Sequence, residues 1–305
     1  MQKAGPETHA IPARAALFTV FLCMLWGGLA PALKISLTGI PPLGSAGVRF
    51  LAAWLALVVW CRVRKIALMP HGREWAPLGI MGLVFAVQIS LLNAGTQRTS
   101  AGHASVFLST NPVFVAALSH FFLKGDRLTV PKLLGLVAAL AGVWVIFSDG
   151  WAAGGSGHLG GDLIVLLSGF LVGCLVVYTK HLVDATGVHK IIVWQMTVSV
   201  PLFFLVGGLT EGLSYHFTLP VTLAMAYQSL CLSAFAFVAW TSLLKRFPAS
   251  KLSAFSFSTP VFGILLSALL LSEPISRRLA LGTGLVGVGI YLANRSFGDP
   301  REAAS

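Results

Sequence analysis

Two short polar motifs stand out in an otherwise apolar chain: Ser109-Thr110-Asn111 before Pro112, and Ser256, Ser258 and Thr259 before Pro260. Proline has no N–H to donate, and its ring displaces the carbonyl four residues back, here that of Leu108. A helix kinked in this way frees backbone polar groups, which inside a membrane must be met by side chains, water or a ligand. If the two motifs meet near a bilayer midplane they form a substrate cradle, with Pro112 and Pro260 at the kinks or gates. The competing account is that both prolines only bend helices for packing. Polar and aromatic groups inside apolar stretches add further candidates for a cavity wall: Trp26, Lys34, Gln88, Asn93, Tyr178, Ser233 and Trp240. Trp26 could stack on a solute, although Gly27 and Gly28 beside it favour close helix packing equally well. Lys34, about a turn inside the end of its stretch, could receive a carboxylate. Gln88 and Asn93 are five residues apart, about 140° around a helix, so at most one faces a given cavity squarely.

Several chemistries find no support. All ten acidic residues fall in loops, tails or the ends of apolar stretches, which argues against proton antiport through a central carboxylate. His103 and His120 have no partner at metal-ligand spacing, so no metal site is expected. His103 reads as an exposed interfacial histidine, with proton coupling as the alternative. Cys23, Cys61, Cys174 and Cys231 lie in or beside apolar runs without disulfide or metal spacing. There is no nucleophile–base set within a stretch, so the chain does not read as an enzyme, and no cofactor is implied.

The elements that must position these groups follow from composition. The chain is 56% hydrophobic and 10% charged, with a mean hydropathy of +0.84, whereas soluble domains are about 25% charged. Crossing a bilayer takes about 20 apolar residues. Ten windows qualify: Ala16–Leu37, Leu43–Cys61, Trp75–Thr96, Ala104–Leu123, Leu133–Phe147, Leu163–Thr179, Ile191–Leu209, Val221–Leu244, Leu252–Leu271 and Leu279–Ala293. With the N-terminus cytoplasmic, Lys and Arg divide 16 to 5 in favour of that side, and such a bias sets orientation. The net charge of +11 is therefore read as topology rather than nucleic-acid binding. Arg49 and Arg98, at outer helix ends, are expected to snorkel to the headgroups.

The chain also repeats itself. Pro112-Val113-Phe114 aligns with Pro260-Val261-Phe262, Arg98 with Arg246, Ala101 with Ala249, and Val172-Gly173 with Trp26-Gly27. Five spans per half would insert the second half upside down, an arrangement that places a substrate site between the halves near the midplane. The expected fold is an all-α polytopic membrane protein of ten transmembrane helices in two inverted five-helix repeats. Its parts are an N-terminal tail (1–14), a first repeat (15–147), a Gly-rich linker (148–161), a second repeat (162–296) and a C-terminal tail (297–305), with both tails cytoplasmic.

Ten spans in two halves, Trp26-Gly27-Gly28, the NPVF and TPVF segments, and Asp126 and Glu273 just after them together resemble the EamA family of the drug/metabolite transporter superfamily. The resemblance extends from about Ala15 to Ser296. It implies a secondary transporter in a bacterial inner membrane, most often an exporter of small metabolites such as amino acids. The inverted repeat implies alternating access around a central cavity, with a small-molecule substrate and the lipid bilayer as partners. A channel or a non-transporting receptor is the alternative. The oligomeric state is left open, a monomer being sufficient.

Overall fold

The structure, a computed structural model, describes residues 12–123, scattered positions between 130 and 148, and 158–294 apart from 213. The expected fifth window is described only at scattered positions, and most of the linker, most of the N-terminal tail and the whole C-terminal tail lie outside the described residues. Among the described residues the secondary structure is helical, with no strand. The helices are α1 (Ala13–Gly27), α2 (Leu29–Ser36), α3 (Pro42–Val63), α4 (Trp75–Arg98), α5 (Ala101–Leu108), α6 (Asn111–Phe122), α7 (Leu159–Thr186), α8 (Val188–Thr210), α9 (Leu219–Ala226), α10 (Phe237–Arg246), α11 (Ala249–Ser253), α12 (Ser258–Leu271) and α13 (Arg277–Asn294). Among the described residues, seven continuous helical stretches are long and apolar enough to cross a membrane, and Ser258–Leu271 is a shorter apolar helix.

Local sequence explains where helices break. Pro31 cannot donate to the carbonyl of Gly27, and α1 gives way to α2 at Gly28, whose N–H turns back to the Leu25 carbonyl at 3.1 Å. The α5–α6 break falls on Ser109-Thr110, just ahead of Pro112. Gly187 alone joins α7 to α8 with φ of +86°, a left-handed conformation that glycine adopts without steric cost. Between α9 and α10, Tyr227–Ala236 forms a π-helical segment, a widened turn closed by i→i+5 hydrogen bonds.

Packing relates the two halves. α4 packs against α7 and α8, α3 against α8, α5 and α6 against α7, and α1 against α12. Two of these crossings share a device. A Cβ placed on Gly27 would lie 2.5 Å from Phe262 Cβ, and one placed on Gly173 would lie 2.7 Å from Phe114 Cβ. These are the aligned positions of the internal repeat. Phe50 anchors the core, edge-on to Phe85 at 4.9 Å and stacked with Phe203 at 6.0 Å. Large apolar side chains such as Phe121, Leu209 and Leu269 stay exposed on the outside, the reverse of what water would favour and what lipid accepts.

Polar contacts also tie helices together at the two ends of the bundle. At one end Lys190 pairs with Glu74 at 2.7 Å, and Lys180 Nζ donates to the Leu244 carbonyl at 2.8 Å. At the other, the Glu273 carboxylate accepts the N–H groups of Ala101 and Gly102 at 2.9 and 3.0 Å, while Glu211 accepts that of Leu43 at 2.8 Å. Each caps a helix N-terminus, where backbone donors lack partners and negative charge is favoured. In the nearby loop, burial and the Glu211 charge both raise the Tyr215 phenol above its ordinary range.

Here the structure corrects one expectation. α7 begins at Leu159, ahead of the expected Leu163, so Asp162 sits in its first turn and is fully buried. Its carboxylate accepts from Thr99 Oγ1 and lies 3.0 Å from His103 Nδ1. His103 is accordingly buried against Asp162 rather than exposed at the interface.

Candidate functional site

Between the helices lies a cavity of about 190 Å³. Its wall draws on both halves of the chain, with Trp26, Arg49, Gln88, Ser109 and Asn111 from the first and Thr179, Gln195, Trp240, Ser256 and Thr259 from the second. Of the predicted site residues, Trp26, Gln88, Ser109, Asn111, Trp240, Ser256 and Thr259 come together here.

The aromatic side of the wall is built around Trp26. Its ring meets Trp240 edge-on at 5.2 Å and Phe237 at 6.4 Å. The α1–α2 break lies beside it, where the Tyr227 hydroxyl donates to the Leu25 carbonyl and closes on Gly28. The polar side is partly self-satisfied. Gln88 Nε2 donates to Ser168 Oγ at 2.8 Å. At the Pro112 kink, Asn111 Nδ2 donates to the displaced Leu108 carbonyl at 2.9 Å, Thr110 Oγ1 to Phe107 at 2.7 Å and Ser109 Oγ to Ser105 at 2.7 Å. The second half answers with Ser258 Oγ to the Phe255 carbonyl at 2.9 Å. The kinks therefore meet most of their own backbone demand, leaving acceptor atoms such as Asn111 Oδ1 for the cavity.

The remaining candidates lie outside the wall. Asn93 turns away from Gln88 and donates to the Pro42 carbonyl at 2.8 Å, so of this pair only Gln88 faces the cavity. Lys34 is half-buried within electrostatic range of Glu273. Tyr178 leans on the Pro77 carbonyl at 3.4 Å. Pro112 and Pro260 are buried and do not line the cavity. Ser233 is also outside the wall, and it holds a residue that is not.

That residue is Arg49, which was expected to snorkel and is instead 2% exposed. Its Nε donates to Ser233 Oγ at 3.0 Å and its Nη1 to Gln228 Oε1 at 3.4 Å, while the guanidinium carbon sits 4.3 Å above the Phe50 ring centroid. Gln228 Nε2 in turn donates to the Ala32 carbonyl at 3.1 Å and to Ser36 Oγ at 3.2 Å. In an α-helix Gln228 and Ser233 would point about 140° apart. The π-helical turn brings residues five apart nearly into register, so both reach the same guanidinium. Among the described residues no carboxylate lies within ion-pair distance of Arg49. The same rule that selected Gln88, a polar group inside an apolar stretch, would also have found Gln195 and Thr179.

A second cavity of about 360 Å³ opens near the Glu273 end, beside His103, His158 and Ser267. Among the described residues no group of three or more His, Cys, Asp or Glu is arranged to hold a metal ion.

Comparison with known proteins gives concordant results. The EamA-like transporter family matches residues 13–148 and 159–295, one match for each half. The uncharacterized transporter YoaV of Bacillus subtilis is 26% identical over 289 residues, covering 93% of this chain and 98% of its own length. A probable amino-acid metabolite efflux pump of Escherichia coli is 26% identical over 289 residues, covering 90% of this chain and 93% of its own length. A solved crystal structure superposes with a TM-score of 0.72 over 92% of this chain and 97% of its own, at 20% sequence identity, and so shares its fold.

Proposed function

We infer that this chain, which belongs to the EamA-like transporter family and is a multi-pass membrane protein, is a secondary transporter that exports small amphipathic metabolites such as amino acids. Ten spans in two inverted five-helix repeats, with both termini cytoplasmic in a bacterial inner membrane, form the frame of this reading. Transport proceeds by alternating access as one repeat rocks against the other around the central cavity.

One observation carries the reading. The cavity is walled by both halves at once, and Trp26, Gln88 and Asn111 of one face Trp240, Ser256 and Thr259 of the other. Movement of one half against the other would open and close such a space. The crossings at Gly27–Phe262 and Gly173–Phe114, equivalent under the internal repeat, support equivalent motions on either side. A wall of aromatic and polar groups suits a solute that is part apolar and part polar.

Counterflow into proteoliposomes preloaded with unlabelled amino acids tests the proposal. Stimulated uptake of labelled solute is expected, since exchange is the mark of a carrier. Conduction without stimulation would identify a channel, and absence of flux across an amino-acid and metabolite panel would remove the substrate assignment. Full flux in Trp26→Ala, Gln88→Ala and Asn111→Ala would remove the site.

A further inference from the structure

Among the described residues, Arg49 is the only charged side chain lining the central cavity. Two of its five N–H donors go to neutral acceptors, Ser233 Oγ and Gln228 Oε1. Those bonds fix the guanidinium plane and leave donors for a ligand. They bring no counter-charge. A desolvated cation without one is unfavourable, and the imbalance is relieved when an anion enters. The planar fork of arginine fits a carboxylate through two parallel hydrogen bonds.

The rest of the wall sets the body of the ligand. An apolar cavity of roughly 150 Å³ accepts one benzene ring, so the space of about 190 Å³ holds a ring and a short chain. Trp26, Trp240 and Phe237 supply the aromatic surface. Among the described residues, a solute ammonium would meet only neutral acceptors there, such as Gln195 and Asn111.

We propose that Arg49 receives the carboxylate of the solute, and that the cavity ranks ligands of equal shape by charge: carboxylate first, zwitterion second, neutral and cationic forms last. This rests on the reading of the cavity as the transport site, and adds the chemical class it prefers.

Four probes of one shape test the ranking on the full-length protein purified in detergent: 3-phenylpropanoate, phenylalanine, 3-phenylpropan-1-ol and phenylalaninamide. Binding is followed by isothermal calorimetry. The carboxylate is expected to bind most tightly. Arg49→Gln should weaken it about tenfold or more, the scale of a lost charge-assisted hydrogen bond, and leave the alcohol unchanged. Arg49→Lys keeps the charge without the fork and should restore part of the preference. Should Arg49→Gln fail to fold, the wild-type ranking and Arg49→Lys still decide. The inference is overturned if the alcohol or amide binds as tightly as the carboxylate, if Arg49→Gln keeps the full preference, or if none of the four binds. The transport reading fails separately: the ranking would then hold in detergent while proteoliposomes show no counterflow for any of the four.

Discussion

The paired glycine crossings make a sharp prediction about what holds the halves together. Replacing Gly27 with alanine adds a methyl carbon 2.5 Å from Phe262 Cβ and 3.1 Å from both the Gly263 nitrogen and the Thr259 carbonyl oxygen. Carbon atoms settle at about 3.5–4.0 Å, so α1 and α12 must part by about 1 Å. Overpacking of this kind costs about 1–3 kcal/mol. Gly173→Ala, with its methyl 2.7 Å from Phe114 Cβ, should cost about the same. The obstacle is a Cβ rather than the ring, so Phe262→Ala should not relieve Gly27→Ala, whereas Phe262→Gly should relieve part of it. A double-mutant cycle measured by unfolding in mixed micelles, followed by circular dichroism, should give about 1 kcal/mol or more of coupling for Gly27→Ala with Phe262→Gly. The cycle with Phe262→Ala should be additive. Equal coupling in the two cycles, or none in either, would refute the contact.

Three further outcomes can be read with the same material. Asp162→Ala leaves the buried His103 ring and Thr99 hydroxyl without their acceptor, and should lower stability by about 1–3 kcal/mol; an unchanged unfolding midpoint would contradict the pair. Glu273→Gln removes the negative charge from the start of α5, worth about 1 kcal/mol, and should speed amide exchange at Ala101 and Gly102 as seen by mass spectrometry. Tyr227→Phe deletes the hydroxyl that meets the Leu25 carbonyl at the α1–α2 break; a loss of about 1 kcal/mol is expected in the unfolding titration.

The spans were legible because hydropathy is a local property. Leu43–Cys61 met α3 at Pro42–Val63, and Ile191–Leu209 met α8 at Val188–Thr210, with polar or turn-forming residues closing each end. The kink at Pro112 was equally local, since a missing N–H and a displaced carbonyl depend on four consecutive residues. Asn111 Nδ2 does take up the Leu108 carbonyl. The helix-internal wall residues followed from the cost of polar groups in lipid. Which way each one points did not. Gln88 and Asn93 carry the same signal, and only the packing of α4 against α7 and α3 sends one to the cavity and the other to Pro42.

Arg49 marks where local reasoning stops. Near the end of an apolar window, a lone cation has two outcomes: its stem extends to the headgroups, or it finds acceptors inside the bundle. Leaving it unpaired within a span costs about 2.5–3.5 kcal/mol on insertion scales, which favours snorkelling whenever partners are out of sight. The partners here are 184 and 179 residues away. They reach one guanidinium because Tyr227–Ala236 winds as a π-helix, and no glycine or proline within that segment announces the change. Its own partners are distant too: the Tyr227 hydroxyl donates to the Leu25 carbonyl, and Gln228 Nε2 to the Ala32 carbonyl and Ser36 Oγ. The break in α1–α2 thus supports the turn that holds Arg49, and Arg49 faces the space bounded by Trp26 on that same broken helix. A change at Gly28 or Tyr227 should therefore alter ligand charge preference without touching the ligand. Tyr227→Phe tests this directly. If the 3-phenylpropanoate preference is unchanged while stability falls, the π-helical turn holds Arg49 without help from α1, and the coupling argued here is wrong.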